Sequence, residues 1–150
     1  MAVSEDLSRR QFVVLAAGCA ALCACGISQA DPPTGKLDVG TIADYPHDGI
    51  YDKFIKSDKA IVYRENGQIY ATSAICPHKG ATMALKGDEV YCKRHGSTFD
   101  AAGSVTHGPA QTSLEHYAIA VDANNHLIVD RSTSFREKDW NDPASFVKAS

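Results

Sequence analysis

The sequence predicts an all-β fold of antiparallel strands, on three observations. Two apolar segments, "AIVYREN" (Ala60 to Asn66) and "QIYATSA" (Gln68 to Ala74), meet at Asn66-Gly67, a pair that accepts positive φ and closes a hairpin. A second pair, "HYAIAV" (His116 to Val121) and "HLIVD" (His126 to Asp130), flanks the turn-forming "DANN". No amphipathic helical run of useful length interrupts them, and only "DPASFVKA" near the end fits a short turn of helix.

Taken in order, the chain begins with a segment that is set apart from the fold. Arg9-Arg10 follow Ser8 and precede Phe12, and the sixteen residues Phe12 to Ile27 carry no charge. This arrangement resembles a twin-arginine export signal over residues 1–30, with Ser28-Gln29-Ala30 offering the small residues read before a cut and Asp31 starting the mature chain. A helix of that apolar length reaches roughly 24 Å, short of a hydrocarbon core of about 30 Å. Cleavage is therefore expected over spanning. "LCAC" (Leu22 to Cys25) is a competing, weak lipoprotein signal, and membrane association is expected only if the segment is retained or lipidated.

Residues 31–150 make one domain of ordinary size. The charges of the export segment cancel around Arg9-Arg10, so the net charge of −3 belongs to the remainder, where Lys and Arg are scattered among Asp and Glu. Nothing in this scatter favours nucleic acid, which would need a basic face to compete for its phosphates, so no nucleic-acid partner is expected. "DEVYCK" (Asp88 to Lys93) reads as a strand after the turn at Gly87-Asp88. Gly and Pro gather at three loops: Pro77 with Gly80, Gly96, and Gly108-Pro109.

Two of those loops carry the chemistry. "CPHKG" (Cys76 to Gly80) and "CKRHG" (Cys92 to Gly96) each set a cysteine near a histidine, with thirteen residues between His78 and Cys92. Once Cys19, Cys23 and Cys25 leave with the export segment, only Cys76 and Cys92 remain. A disulfide between them is one reading outside the cytoplasm, but it leaves both histidines unexplained. A tetrahedral zinc site is another, although such sites usually place two or more residues between paired ligands. A [2Fe–2S] cluster with unlike irons is a third: one iron takes two thiolates, the other two neutral imidazoles, and each loop supplies one of each.

"CPHKGATM" and "CKRHGSTFD" resemble the two ligand boxes of the Rieske iron–sulfur proteins, and the likeness continues through "AAGSVTHGPA" (Ala101 to Ala110) into "SLEHYAIAVDANNHLIVD" (Ser113 to Asp130). The resemblance implies a Rieske-type antiparallel β-sandwich base with an inserted two-loop cluster-binding subdomain, about residues 75–111, and a C-terminal tail at 131–150. It further implies one [2Fe–2S] cluster per chain. Cys76 and Cys92 would ligate the inner iron, His78 and His95 the outer one, and the Ser97 hydroxyl would aim at a bridging sulfide.

Departures from the pattern are informative. High-potential members pair an extra cysteine from each loop as a disulfide, whereas this chain has Ala81 and Lys93-Arg94 in those stretches. Phe99 stands where those members have a tyrosine. One hydrogen-bond donor is kept and one lost, so the expected potential lies inside the range of about −150 to +300 mV and below its top, falling at high pH as the outer imidazoles lose protons.

His47, His107, His116 and His126 have no partner at ligand spacing and read as surface or turn histidines, with His107, beside Gly108-Pro109, closest to the cluster. Trp140 and Phe146 read as anchors that pin the tail to the domain. No flavin, nicotinamide or mononuclear iron motif is present, so the expected function is one-electron transfer. The chain would serve as a periplasmic ferredoxin-like carrier or as the small subunit of a larger oxidoreductase. A membrane-tethered subunit of a quinol–cytochrome c reductase-type complex is the alternative. The resemblance implies a redox partner docking near His78 and His95: a cytochrome, a molybdoenzyme large subunit or an oxygenase.

Overall fold

Ala60, Ile61, Val62 and Tyr63 follow one another in a single strand and all four are buried, so both faces of that strand are covered. The computed structural model describes residues 33–149. The expected export segment and its cleavage point before Asp31 lie outside the described residues. In chain order the strands are β1 (Lys36–Thr41), β2 (Gly49–Tyr51), β3 (Ala60–Glu65), β4 (Gln68–Ser73), β5 (Ala84–Lys86), β6 (Glu89–Tyr91), β7 (Thr98–Phe99), β8 (Val105–His107), β9 (His116–Val121), β10 (His126–Phe135) and β11 (Val147–Lys148). One four-residue helix, α1 (Ile55–Asp58), ends at Lys59 in the left-handed conformation.

All pairings between these strands are antiparallel. The base is a seven-stranded sheet in the order β1-β10-β9-β4-β3-β2, with β11 also on β4. One edge of β4 serves two neighbours. At Thr72 it pairs with His116 of β9, and at Gln68-Ile69 it pairs with β11. The sheet therefore parts along β4 and curls, so the expected sandwich takes the form of one sheet folded around its own core. Val39, Tyr45, Val62, Ile69, Ala71, Tyr117, Ile119, Leu127 and Val129 fill that core.

The opposite faces of β3 and β4 carry a second core. Ile61, Tyr63 and Tyr70 pack with Met83, Val90, Phe99, Leu114 and both cysteines, beneath a four-stranded sheet in the order β5-β6-β7-β8. The four consecutive apolar residues of β3 are explained by this position: even-numbered side chains face the inner core and odd-numbered ones the small sheet. Fully burying each such side chain contributes about 1.5–3 kcal/mol. β3 and β4 thus form a shared wall that ties the small sheet and the two Cys/His loops to the base.

Both predicted hairpins form. Asn66 and Gly67 have φ of 50° and 75°, the paired positive values of the expected tight turn, and β3 and β4 run in register from Ala60↔Ser73 to Glu65↔Gln68. Between β9 and β10 the Asp122 carboxylate accepts the N–H groups of Asn124 and His126, and Asn125 takes the left-handed conformation. β10 runs five residues past the predicted end at Asp130, because the chain bulges between Asp130 and Ser134 and then rejoins β9.

The expected helical turn in "DPASFVKA" does not form. Asp142 closes a turn with Ser145, and Val147–Lys148 then pairs with β4, because the open end of the β4 edge offers more hydrogen bonds than an isolated turn of helix would keep. Phe146 packs against the second core, and Trp140 stacks on His116, so both anchor the tail as expected.

His116 corrects the sequence reading. His47 and His107 are exposed and His126 is half-exposed, as expected, but His116 is only 5% exposed. It belongs to a column of four near-parallel rings: Tyr63 on Tyr70 at 5.2 Å, Tyr70 on His116 at 4.7 Å, and His116 on Trp140 at 4.1 Å between centroids. Its Nε2–H donates to the Ala102 carbonyl at 2.9 Å, and the Tyr70 hydroxyl donates to the Ala101 carbonyl at 2.6 Å. The column clamps the β7–β8 turn onto the base. Burial drives the His116 pKa from 6.5 to about 4, so the ring is neutral at physiological pH.

Candidate metal centre

The two Cys/His loops fold to one pattern despite their different spacing. In the first, the Cys76 N–H donates to the Ala81 carbonyl at 2.8 Å and the Gly80 N–H to the Cys76 carbonyl at 2.9 Å. In the second, the Cys92 N–H donates to the Ser97 carbonyl at 2.8 Å and the Gly96 N–H to the Cys92 carbonyl at 2.9 Å. Each loop is thus a closed six-residue ring, and each needs a residue of positive φ four places after its cysteine: Gly80 at 68° and Gly96 at 80°. The shared cysteine-to-glycine interval was visible in the sequence, and it accounts for the frame better than the unequal Cys-to-His intervals.

This frame separates the donors by depth. Cys76 and Cys92 are each 1% exposed and free of any disulfide, so the disulfide alternative is not adopted in this structure. His78 is half-buried and His95 is exposed. Their rings meet edge to face, 83° apart, with Nδ1 of His78 3.2 Å from Nδ1 of His95. Two ring nitrogens of the same kind turned toward one another can share at most one proton and otherwise present lone pairs to a common point. The thiols lie together behind them: burial pushes the Cys76 thiol up, the His78 backbone N–H aimed at its sulfur pulls it down, and the adjacent Cys92 thiol raises it again.

Ser97 belongs to the same pocket. It is fully buried, its Oγ accepts the Ala110 N–H at 3.1 Å, and its hydroxyl beside Cys76 acts to pull that thiol's pKa down. The third loop closes over it. Gly108 lies so near the second loop that a Cβ there would sit 2.5 Å from the Ser97 Cα, and its φ is +103°, so only glycine fits. Phe99, fully buried in the same apolar cluster as both cysteines, adds to its apolar lining without a hydroxyl.

The donor set fits a [2Fe–2S] cluster of mixed ligation. Two buried soft thiols form one end and two converging imidazoles the other, matching the unlike irons of such a centre. The four donors are split into two pairs, and among the described residues no three His, Cys, Asp or Glu side chains gather round a single ion position, as a tetrahedral zinc would require. Around the imidazoles the surface is positive: burial and then the charges of His78, Lys79 and Arg94 hold the His95 pKa below its ordinary value. A cleft of about 820 Å³ passes Pro77, Leu114 and Arg136, but none of the four donors lines it.

Comparison with known proteins agrees. The Rieske [2Fe-2S] domain family model matches residues 35–118. The cytochrome b6-f complex iron-sulfur subunit of Synechococcus sp. (strain JA-2-3B'a(2-13)) is 33% identical over 82 residues, covering 52% of this chain and 48% of that protein. The ferredoxin component of the naphthalene 1,2-dioxygenase system of Pseudomonas aeruginosa is 24% identical over 96 residues, 61% of this chain and 92% of that one. This chain therefore spans about half the length of the b6-f subunits it matches and nearly all of the ferredoxin. Naphthalene 1,2-dioxygenase with indole bound in its active site shares the fold, at 19% identity and a TM-score of 0.51 over 73% of this chain and 29% of that one. With a family model covering more than half its length and the paired Cys/His loops that the cofactor calls for, the chain belongs to the Rieske [2Fe-2S] domain family.

Proposed function

We propose that this protein is a one-electron carrier acting outside the cytoplasm, as a ferredoxin-like carrier or the small subunit of a larger oxidoreductase. In it Cys76 and Cys92 hold the inner iron and His78 and His95 the outer iron. The cluster supplies a centre that gains and loses one electron with little rearrangement. The observation that carries the reading is the depth order of the donors: thiols 1% exposed, His78 half-buried, His95 exposed. An outer edge at the surface lets an electron pass to a docked partner, whereas a purely structural or sensing cluster has no need of an open imidazole edge.

The residues around the site have distinct tasks. The Cys92 and Gly96 N–H groups close the second loop and fix His95. The Ser97 hydroxyl, whose oxygen accepts the Ala110 N–H, would turn its own O–H toward the sulfur end and stabilise added negative charge there, and Phe99 and the Gly108-Pro109 loop exclude water from it. The resemblance of residues 1–30 to a twin-arginine signal supports a periplasmic placement, because that route carries already folded proteins.

The likeness to b6-f subunits favours a second reading, a membrane-tethered subunit of a quinol-oxidising complex. Cys76 and Cys92 are the free cysteines of the described residues, leaving none for a loop disulfide, and Phe99 lacks the hydroxyl of the high-potential sites; both weigh toward the carrier. Among the described residues no helix is long and apolar enough to cross a membrane. The test is EPR of the dithionite-reduced protein followed by redox titration. A rhombic signal of average g near about 1.9 and a midpoint well below about +300 mV fit the carrier; a midpoint at the top of that range fits the quinol complex. Bound zinc without iron would overturn both.

A further inference from the structure

The two cluster loops carry three cations, Lys79, Lys93 and Arg94, and no acid. All three are exposed, and among the described residues none forms an ion pair. The rest of the described residues carry ten Lys and Arg against fifteen Asp and Glu. The acids nearest in sequence, Asp88 and Glu89, lie at the opposite end of the β5–β6 hairpin from Cys92, and Asp100 is turned into its own loop, accepting the Ala102 and Ser104 N–H groups. Charge is therefore sorted along the molecule, positive at the imidazole end and negative over the base. Pro77 and Pro109, both exposed, give the same end a small apolar centre.

From this we infer that the partner docks on the imidazole end through an acidic face, with carboxylates placed to meet Lys79, Lys93 and Arg94 around a small apolar contact. The inference rests on the electron-transfer reading above. Complementary charge raises the encounter rate and orients the partner with little cost to turnover, since exposed pairs add speed more than residence time. A folded protein fits better than an anionic membrane. Lipid-binding clusters gather four to eight cations, about twice what is here, and the negative base is repelled by an anionic surface.

The test uses the full-length cluster-loaded protein, reduced, in stopped flow against two cobalt(III) complexes. Each takes one electron to cobalt(II): the trianionic tris(oxalato) complex and the tricationic tris(phenanthroline) complex. Expected is a rate for the trianion that falls about tenfold as ionic strength rises from about 0.01 M to about 0.3 M, while the trication rate rises. K79E/K93E/R94E should reverse that order, with its visible spectrum intact and its midpoint measured to correct for driving force. Equal salt slopes for the two complexes in the wild type, or an unchanged order in the variant, would overturn the proposal.

Calorimetry adds a readout that does not need the cluster: poly-L-glutamate should bind the wild type and not the variant. No binding overturns the acidic-partner inference while leaving electron transfer standing. Tighter association with phosphatidylglycerol vesicles than with poly-L-glutamate overturns it in favour of a lipid surface. A chain that never loads a reducible cluster overturns the electron-transfer reading instead, and the docking inference is then judged on the polymer alone.

Discussion

Acidifying the protein from pH 7 toward pH 4 should weaken it, and His116 makes a separable contribution to that loss. The ring is 5% exposed, sandwiched between Tyr70 and Trp140, with Nε2–H committed to the Ala102 carbonyl and Nδ1 without a protein partner. Burial holds its folded pKa at about 4 against an ordinary 6.5. A depressed histidine pKa means that the neutral form is the folded one, so its contribution is complete above pH 6.5 and is lost as the unfolded chain takes up a proton the folded chain refuses. With those two values the loss is about 2 kcal/mol at pH 5 and about 3 kcal/mol at pH 4, a large share of the 5–15 kcal/mol that holds a typical domain.

The control is His116→Phe, which keeps the stack but cannot titrate. It should cost about 1 kcal/mol at pH 7 through the lost bond to Ala102 and then lose less stability than wild type on acidification. Urea denaturation of the cluster-loaded proteins at pH 7, 6, 5 and 4, with NMR titration of the His116 ring, measures both. Carboxylates elsewhere titrate in both proteins, so the difference between the two curves isolates His116. A His116 resonance titrating near pH 6.5, or two curves that fall in parallel, would refute the reasoning.

Ser97→Ala removes the donor beside Cys76, and the midpoint should fall by roughly 60–130 mV, the equivalent of a charge-assisted bond of about 1.5–3 kcal/mol, with Ser97→Thr restoring much of it in the same titration. Gly108→Ala must accommodate a Cβ 2.5 Å from the Ser97 Cα at a φ of +103°; thermal melts should show a loss of at least about 1–3 kcal/mol, and an unchanged melting temperature would mean that the third loop does not press on the second. Cys92→Ala should purify without iron while its far-UV spectrum keeps the base-sheet signal, because the inner core contains neither cysteine; full iron content would remove Cys92 from the ligand set.

Much of this protein was legible in its sequence because local rules suffice for it. The Asn66-Gly67 turn, the Asp122 turn and the paired strands around them follow from residues that only those conformations suit, and Cys76, His78, Cys92 and His95 stood out by type and interval, while Ser97 was marked only by the family resemblance. The short strands β5, β7 and β8 carry no such signal. Two or three residues cannot display a period, and these strands are held by pairing with β6 and by the core beneath.

Tertiary structure alone decided three things. It placed β11 on the open edge of β4, where a local reading saw a turn of helix, because edge pairing is a property of the sheet and not of the segment. It buried His116, whose ring stacks on Tyr70 and Trp140 from distant parts of the chain, a contact that no spacing within the chain encodes. It also set the depth of the four donors. The sequence determined which side chains can hold two unlike irons, since ligand chemistry belongs to residue type. The stacking of the small sheet on the outer face of β3 and β4 determined that the thiols face the core while the imidazoles lie nearer solvent.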